Sequence, residues 1–171
     1  MEEFQIGSDL RVEQVASDLH VPSVERGGHR RYLADLGSGT AQLLPLILRL
    51  TAEKKSGPLL IEEPEAHLHP DLQARIGGLL AAVTEKGHQV LVETHSEHLT
   101  RRIQYLVAEG EFKADHVSFL YVEAARQSGV AGPPVRSISI DDDGQISAPF
   151  GRGFFDETKR LSHHFRYGSE N

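Results

Sequence analysis

The sequence predicts an α/β fold built around a parallel sheet. Two short apolar segments, 58–61 and 89–93, each end abruptly in polar residues, and a periodic helical segment separates them. A second helical segment and a third apolar run, 117–122, follow. Strands buried on both faces of a parallel sheet read as continuous apolar runs. Alternation of strand and helix supplies the crossovers that parallel pairing needs.

The first of the two helices is the clearest element. Leu72, Ile76, Leu79, Leu80 and Val83 recur on one helical face, with Pro70 at the start and Lys86-Gly87 at the exit. The second places Leu99, Ile103, Leu106 and Val107 on one face and ends near Gly110. Ahead of this core, Leu10 to Val15 and Leu19 to Val24 are strand-like, with a Gly27-Gly28 turn and a third strand expected over Arg31 to Leu36. Leu43, Leu44, Ile47, Leu48 and Leu50 approximate a helical face, and Pro45 is expected near that helix's start or at a kink.

A Gly- and Pro-rich linker is expected over 127–134, dividing a domain at 1–126 from a small appended one at 135–171. In the latter, Asp141-Asp142-Asp143-Gly144 is a hairpin turn flanked by 135–140 and 145–150, and 154–165 is expected to be an amphipathic helix.

The chain has 171 residues, 39% of them hydrophobic, no cysteine and a formal net charge of −7. Disulfides and thiolate metal sites are excluded. Leu43 to Leu48, the longest apolar run, is too short to cross a bilayer. The acidic, polar start is not that of a secretory signal, and a cytoplasmic location is expected. The charge balance does not support a free-standing nucleic-acid binder, because phosphate neutralisation calls for a basic surplus.

The chemistry centres on Leu59-Leu60-Ile61-Glu62-Glu63-Pro64. Two carboxylates at the end of a buried strand are costly unless they have a task, and ligands in open α/β sheets bind at that end. One would face a metal and its waters, the other an attacking water. The competing reading is a strand ending in a solvated turn, and this strand alone does not decide. The second strand, Val90-Leu91-Val92-Glu93-Thr94-His95, breaks the tie, because strand–helix–strand connectivity brings Glu63 and His95 to one crevice. His67 and His69 suggest a metal, and a hydrolase built on Glu62, Glu63, His67, His69 and His95 is a further alternative, but His-x-His with no third ligand at metal spacing is weak.

Taken in order, Leu36-Gly37-Ser38-Gly39-Thr40-Ala41-Gln42, the run Glu62-Glu63-Pro64-Glu65-Ala66-His67-Leu68-His69-Pro70, and Glu93-Thr94-His95-Ser96 resemble the ABC-type ATPases. More narrowly they resemble the AAA ATPases related to RecF, SMC and OLD proteins, over about residues 10–123. The tail, ending Gly151-Arg152-Gly153-Phe154-Phe155-Asp156-Glu157, resembles a small uncharacterised domain appended to some of them. The resemblance implies part of a P-loop NTPase fold, with ATP and Mg²⁺ as nucleotide and metal. It implies that Glu62 holds Mg²⁺ through water at the Walker B position, where most relatives carry Asp. Glu63 would be the catalytic carboxylate and His95 the switch histidine. Gly37, Ser38 and Gly39 would form a signature loop covering nucleotide held by an opposing subunit.

No Gly-x-x-x-x-Gly-Lys-Ser/Thr occurs in the sequence. An ATP site is therefore expected only when a Walker A half completes it, and the chain is expected to be marginally stable, to self-associate, or to take a Walker A-bearing partner. A role in DNA repair or phage defence follows from the resemblance alone. The non-enzymatic alternative is an interaction module that binds no nucleotide.

Overall fold

The computed structural model describes residues 4, 6–51, 57–122, 135–151 and 154–155. The linker expected over 127–134 lies outside them, as does the helix expected over 154–165 beyond its first two residues. The chain divides into two compact units, Met1–Ile103 and Gln104–Asn171.

The first unit opens with an antiparallel sheet of β1 (Ser8–Ala16), β2 (Leu19–Arg26) and β3 (His29–Tyr32), in that order. Arg26 pairs with His29, so Gly27 and Gly28 form a two-residue turn. Both have positive φ, 60° and 74°, as a type I′ hairpin requires. The third strand begins two residues before the expected Arg31 and stops at Tyr32, because residues 33–35 tighten into a 3-10 turn. Arg30 on β3 reaches across β2 to the Asp9 carbonyl at 2.6 Å and to its carboxylate at 2.5 Å. Arg11 meets the same carboxylate at 2.7 Å. These guanidinium groups hold the Asp9 carboxyl below its ordinary range, Arg30 first and Arg11 second.

Helix α1 (Ser38–Thr51) follows and lies against α2 (Pro70–Glu85). Pro45 sits well inside α1, where it offers no N–H to the preceding turn. It is exposed, while Leu43, Leu44, Ile47 and Leu50 turn inward. Between the helices runs β4 (Leu59–Glu62), and α2 leads to β5 (Val90–Glu93). β4 and β5 pair in parallel, Leu59 with Val90 through Glu62 with Glu93. Ile76, Leu80 and Val83 of α2 are buried, as are Leu99 and Ile103 of α3 (Glu97–Ala108). Each such aliphatic side chain contributes about 1.5–3 kcal/mol by leaving water.

Both helices stop as their glycines foretell. Gly87 N donates to Thr84 O, and His88 N to Val83 O. Gly110 N donates to Val107 O, and Glu111 N to Leu106 O. Gly87 and Gly110 have φ of 84° and 71°, the left-handed conformation that ends a helix in this bonding pattern.

In the second unit, β6 (Phe119–Val122) pairs antiparallel with β7 (Val135–Ile138). It does not extend the parallel sheet, as the alternation along the middle of the chain suggested. The reason lies in its side chains. Phe119 and Tyr121 share one face, where both meet Phe150, and Tyr121 also meets Phe154. Beyond β7, Ile140 bridges Ile146 across the expected acidic turn. Asp141 Oδ1 accepts from the N–H groups of Asp143 and Gln145 at 3.1 and 2.8 Å, and Gly144 takes φ 74°. The hairpin turn is present, but its second limb is a single bridge.

Gly77 is where α2 and α3 come close. A Cβ there would stand 2.8 Å from Leu99 O and 3.2 Å from Arg102 Cβ, whereas at Gly78 it would meet only Arg102 Nε at 3.9 Å. Gly77→Ala is expected to cost about 1–3 kcal/mol by forcing the helices apart. Gly78→Ala should stabilise by up to about 1 kcal/mol through helix propensity. Urea unfolding of the full chain reads both signs. The Asp9 cluster adds a pH effect. Its carboxyl is lowered in the folded state, so its contribution is complete above about pH 4 and is lost as the pH falls through the lowered value. Asp9→Asn should remove that component of acid destabilisation, seen as a flatter dependence of the unfolding midpoint on pH.

Candidate functional site

The parallel register sets two acidic strand ends side by side. Glu62 is paired with Glu93, and one residue on, Glu63 N donates to Glu93 O at 2.8 Å. Alternation puts Leu60, Glu62, Leu91 and Glu93 on one face. That face is open: Leu60 is 73% and Leu91 56% exposed. A groove of about 630 Å³ beside it is lined by Gln42 and Leu46 of α1, by Ile61, Glu62, Glu63, Pro64 and Ala66, and by Glu93. Three carboxylates thus share one opening, an arrangement that repels itself unless a cation or hydrogen-bond donor joins it.

Beyond β4 the backbone turns sharply. Glu63 has φ 43° and His67 φ 62°, both left-handed without being glycine. Each costs on the order of 1–3 kcal/mol and persists only where the surroundings enforce it. Here Ala66 N bonds Glu63 O, and Leu68 N bonds Glu65 O. His69 then caps α2, its Nδ1 accepting from Asp71 N at 3.4 Å, with Pro70 in the first turn. His69 is thereby used in folding. Among the described residues no group of three or more His, Asp or Glu side chains is placed to hold a metal ion by itself.

His95 follows β5. Its Nε2 stands 3.9 Å from Glu63 Oε1, beyond hydrogen-bond reach but at ion-pair distance. Both side chains are largely exposed, so this pairing adds little to stability. The backbone of His95 is held more firmly, since its N–H donates to Glu65 Oε1 at 2.6 Å. Ser96 caps α3, with Leu99 N donating to its Oγ at 3.0 Å. The same hydroxyl donates to Gln73 Oε1 at 2.6 Å, and Gln73 Nε2 donates to Leu68 O at 2.9 Å.

The predicted signature residues sit at the start of α1. A Cβ on Gly39 would stand 2.7 Å from Leu68 Cδ2 and 2.9 Å from His67 O, so the glycine lets this helix approach the 63–68 turn. Around Gly37 a Cβ would meet nothing within 4 Å, and its carbonyl accepts the N–H of Ala41. Glu62, Glu63 and His95 gather at the ends of β4 and β5, while Gly39 reaches the same region by its contact with the turn. Gln73 lies outside the motifs read from the sequence, and Glu65, Ser96 and Gln42 stand within them without an assigned role. Nothing in a polar run such as Pro64-Glu65-Ala66-His67 signals that one carboxylate turns inward.

The two glycines make a clean contrast. Gly39→Ala is expected to lose about 1–3 kcal/mol of stability, because the obstacle at His67 is backbone, whereas Gly37→Ala should leave the unfolding midpoint nearly unchanged. Equal midpoints for the two variants would refute the proposed close approach.

Comparison with known proteins gives this geometry a family. The family described as "AAA domain, putative AbiEii toxin, Type IV TA system" matches residues 6–101, more than half of the chain. A family of proteins of unknown function, DUF3696, matches residues 113–162. A "putative ABC transporter ATP-binding protein" of Streptomyces coelicolor is 34% identical over 84 residues, which are 47% of this chain and 15% of that protein. The chain thus spans a small part of that relative's length. A solved structure from work on the structural biochemistry of ATP-driven dimerization and DNA-stimulated activation of SMC ATPases superposes with a TM-score of 0.58 at 15% identity, covering 98% of this chain and 87% of that one. This likeness is one of fold. The chain belongs to the AAA-domain family that matches its first hundred residues, and it carries the α/β fold of the ABC- and SMC-like ATPases.

Proposed function

We propose that the chain contributes the hydrolytic side of a composite ATP site, completed by a phosphate-binding loop on another polypeptide segment. The observation that carries this reading is the approach of His95 to Glu63 at 3.9 Å, at the C-terminal ends of two parallel strands and beside an open acidic groove. Phosphoryl transfer to water needs positioning and charge stabilisation more than covalent chemistry. Glu63, held out by a strained backbone, is suited to orient the attacking water and accept its proton. His95 is suited to donate a hydrogen bond to a terminal phosphate. Gly37, Ser38 and Gly39, at the start of α1, would cover nucleotide through backbone N–H groups.

Glu62 and Glu93 are hard oxygen donors in register, a set that fits Mg²⁺, which takes one or two carboxylates and completes its shell with water and substrate phosphate. When bound, the ion would neutralise charge on the phosphates and relieve the repulsion among Glu62, Glu63 and Glu93. Glu62 is the residue that would hold it. A partner carrying a Walker A lysine would complete the site, and association of two such assemblies would set the signature loop of one against nucleotide held by the other. ATP-driven dimerization, described for the SMC ATPases of similar fold, supports that reading. A cytoplasmic role in DNA repair or phage defence belongs to the same proposal, and the DNA-stimulated activation described for those SMC ATPases supports its DNA-linked part. No helix among the described residues is long and apolar enough to cross a membrane.

Titration calorimetry with ATP is expected to detect almost no binding to the chain alone, and micromolar affinity would overturn the dependence on a second segment. In a complex with a Walker A-bearing polypeptide, Glu63→Gln should lower turnover by about 10²–10⁴-fold while ATP-dependent association persists. Turnover at the wild-type rate in that variant would remove Glu63 from the mechanism. A complex that neither binds nor hydrolyses ATP would make the chain an interaction module.

A further inference from the structure

Among the described residues Glu65 is the only buried charged side chain. It is 8% exposed, and its two oxygens are treated unequally. Oε1 accepts the N–H of His95 at 2.6 Å, whereas Oε2 is buried with no hydrogen-bond partner. Withdrawing a carboxylate from water is expensive, and a single hydrogen bond repays only part of it. A turn that needed nothing but closure already has its own bonds, Ala66 N to Glu63 O and Leu68 N to Glu65 O. The inward carboxyl is bonded outside the turn, to the backbone N–H of His95.

We propose that Glu65 is a positioning residue that fixes His95 relative to Glu63. The inference rests on the reading of Glu63 and His95 as the reactive pair. Glu63 and Glu65 belong to one hydrogen-bonded turn, two residues apart. Glu65 grips the histidine by its backbone N–H, and Glu63 faces the imidazole at 3.9 Å. Both ends of His95 are thus referenced to the same short segment. A second tie runs in parallel, from Leu68 O through the Gln73 amide to Ser96 Oγ and on to Leu99 N. Displacement of the 63–68 turn, against which Gly39 packs, would carry His95 with it rather than leave the imidazole behind.

The test uses the full chain, isotope-labelled, without nucleotide. Amide exchange at His95 should speed up by at least about tenfold in Glu65→Ala, as loss of a hydrogen bond to a charged acceptor implies. Amides in the middle of α2 should keep their protection. Glu65→Gln, which retains an acceptor, should stay within a few-fold of wild type. The positioning role has its own readout. Glu63→Gln should shift the His95 ring signals at fixed pH in the wild-type background and leave them unmoved in the Glu65→Ala background. If Glu65→Ala does not fold, Glu65→Asp keeps the charge but shortens the reach, and it should lose the ring response. The proposal is overturned if His95 protection and the ring response survive in Glu65→Ala or Glu65→Asp, or if protection falls equally throughout α2 and α3. All these signals are read without ATP. A clamp that passes them while Glu63→Gln leaves turnover intact would stand, and the ATPase reading would not.

Discussion

Glu63 N–H donates to the carbonyl of Glu93 at 2.8 Å, one step beyond the last paired residues of β4 and β5, and the acidic end of the fold is assembled outward from that bond. Parallel pairing sets Glu62 opposite Glu93. The added bond carries the pairing to the point where the chain must turn, and Glu63 meets it in a left-handed conformation. A β-branched or bulky apolar residue would resist that conformation. A carboxylate held there projects from the strand end instead of continuing the pleat. The resulting concentration of negative charge is a poor solution for stability and favours a cation beside it.

Around this bond the helices do two tasks at once. Their starts satisfy backbone donors through side chains that also shape the site: His69 caps α2, and Ser96 caps α3 while bonding Gln73. Their interiors set the spacing. Gly77 lets α2 and α3 approach within contact distance of backbone, and Gly39 does the same for α1 and the 63–68 turn. The open face bearing Leu60 and Leu91 runs up to the same carboxylates. Apolar exposure and charge are adjacent there, a combination suited to a surface that another segment covers.

The two family matches fall one in each compact unit, residues 6–101 in the first and 113–162 in the second. The second unit organises itself by different means. Phe150 meets Phe119, Tyr121, Phe154 and Phe155, and Phe154 stacks on Phe155 with centroids 4.2 Å apart. Arg136 lies over Tyr121 at 5.5 Å and donates to Pro149 O at 2.9 Å. Aromatic contact, rather than a parallel sheet, explains why β6 found β7 as its partner.

Elements with local signals are legible along the chain. Period-3.6 burial, Pro70 and the glycines at 87 and 110 defined α2 and α3, because capping and periodicity are properties of neighbouring residues. The apolar runs ending in Glu62-Glu63 and in Glu93-Thr94-His95 defined two parallel strands and their polar ends, but not that one face, bearing Leu60 and Leu91, stays open. The Gly27-Gly28 turn was equally plain. Features that depend on distant partners came from the three-dimensional packing. It paired β6 with β7, ended β3 at Tyr32 and left Pro45 within α1, since the packing of α1 outweighs one missing backbone bond. It turned Glu65 inward to the backbone of a residue thirty positions away and gave Gly39 a packing reason that no local pattern encodes. A carboxylate in a turn looks the same in sequence whether it faces water or an amide, and only the fold supplies the amide.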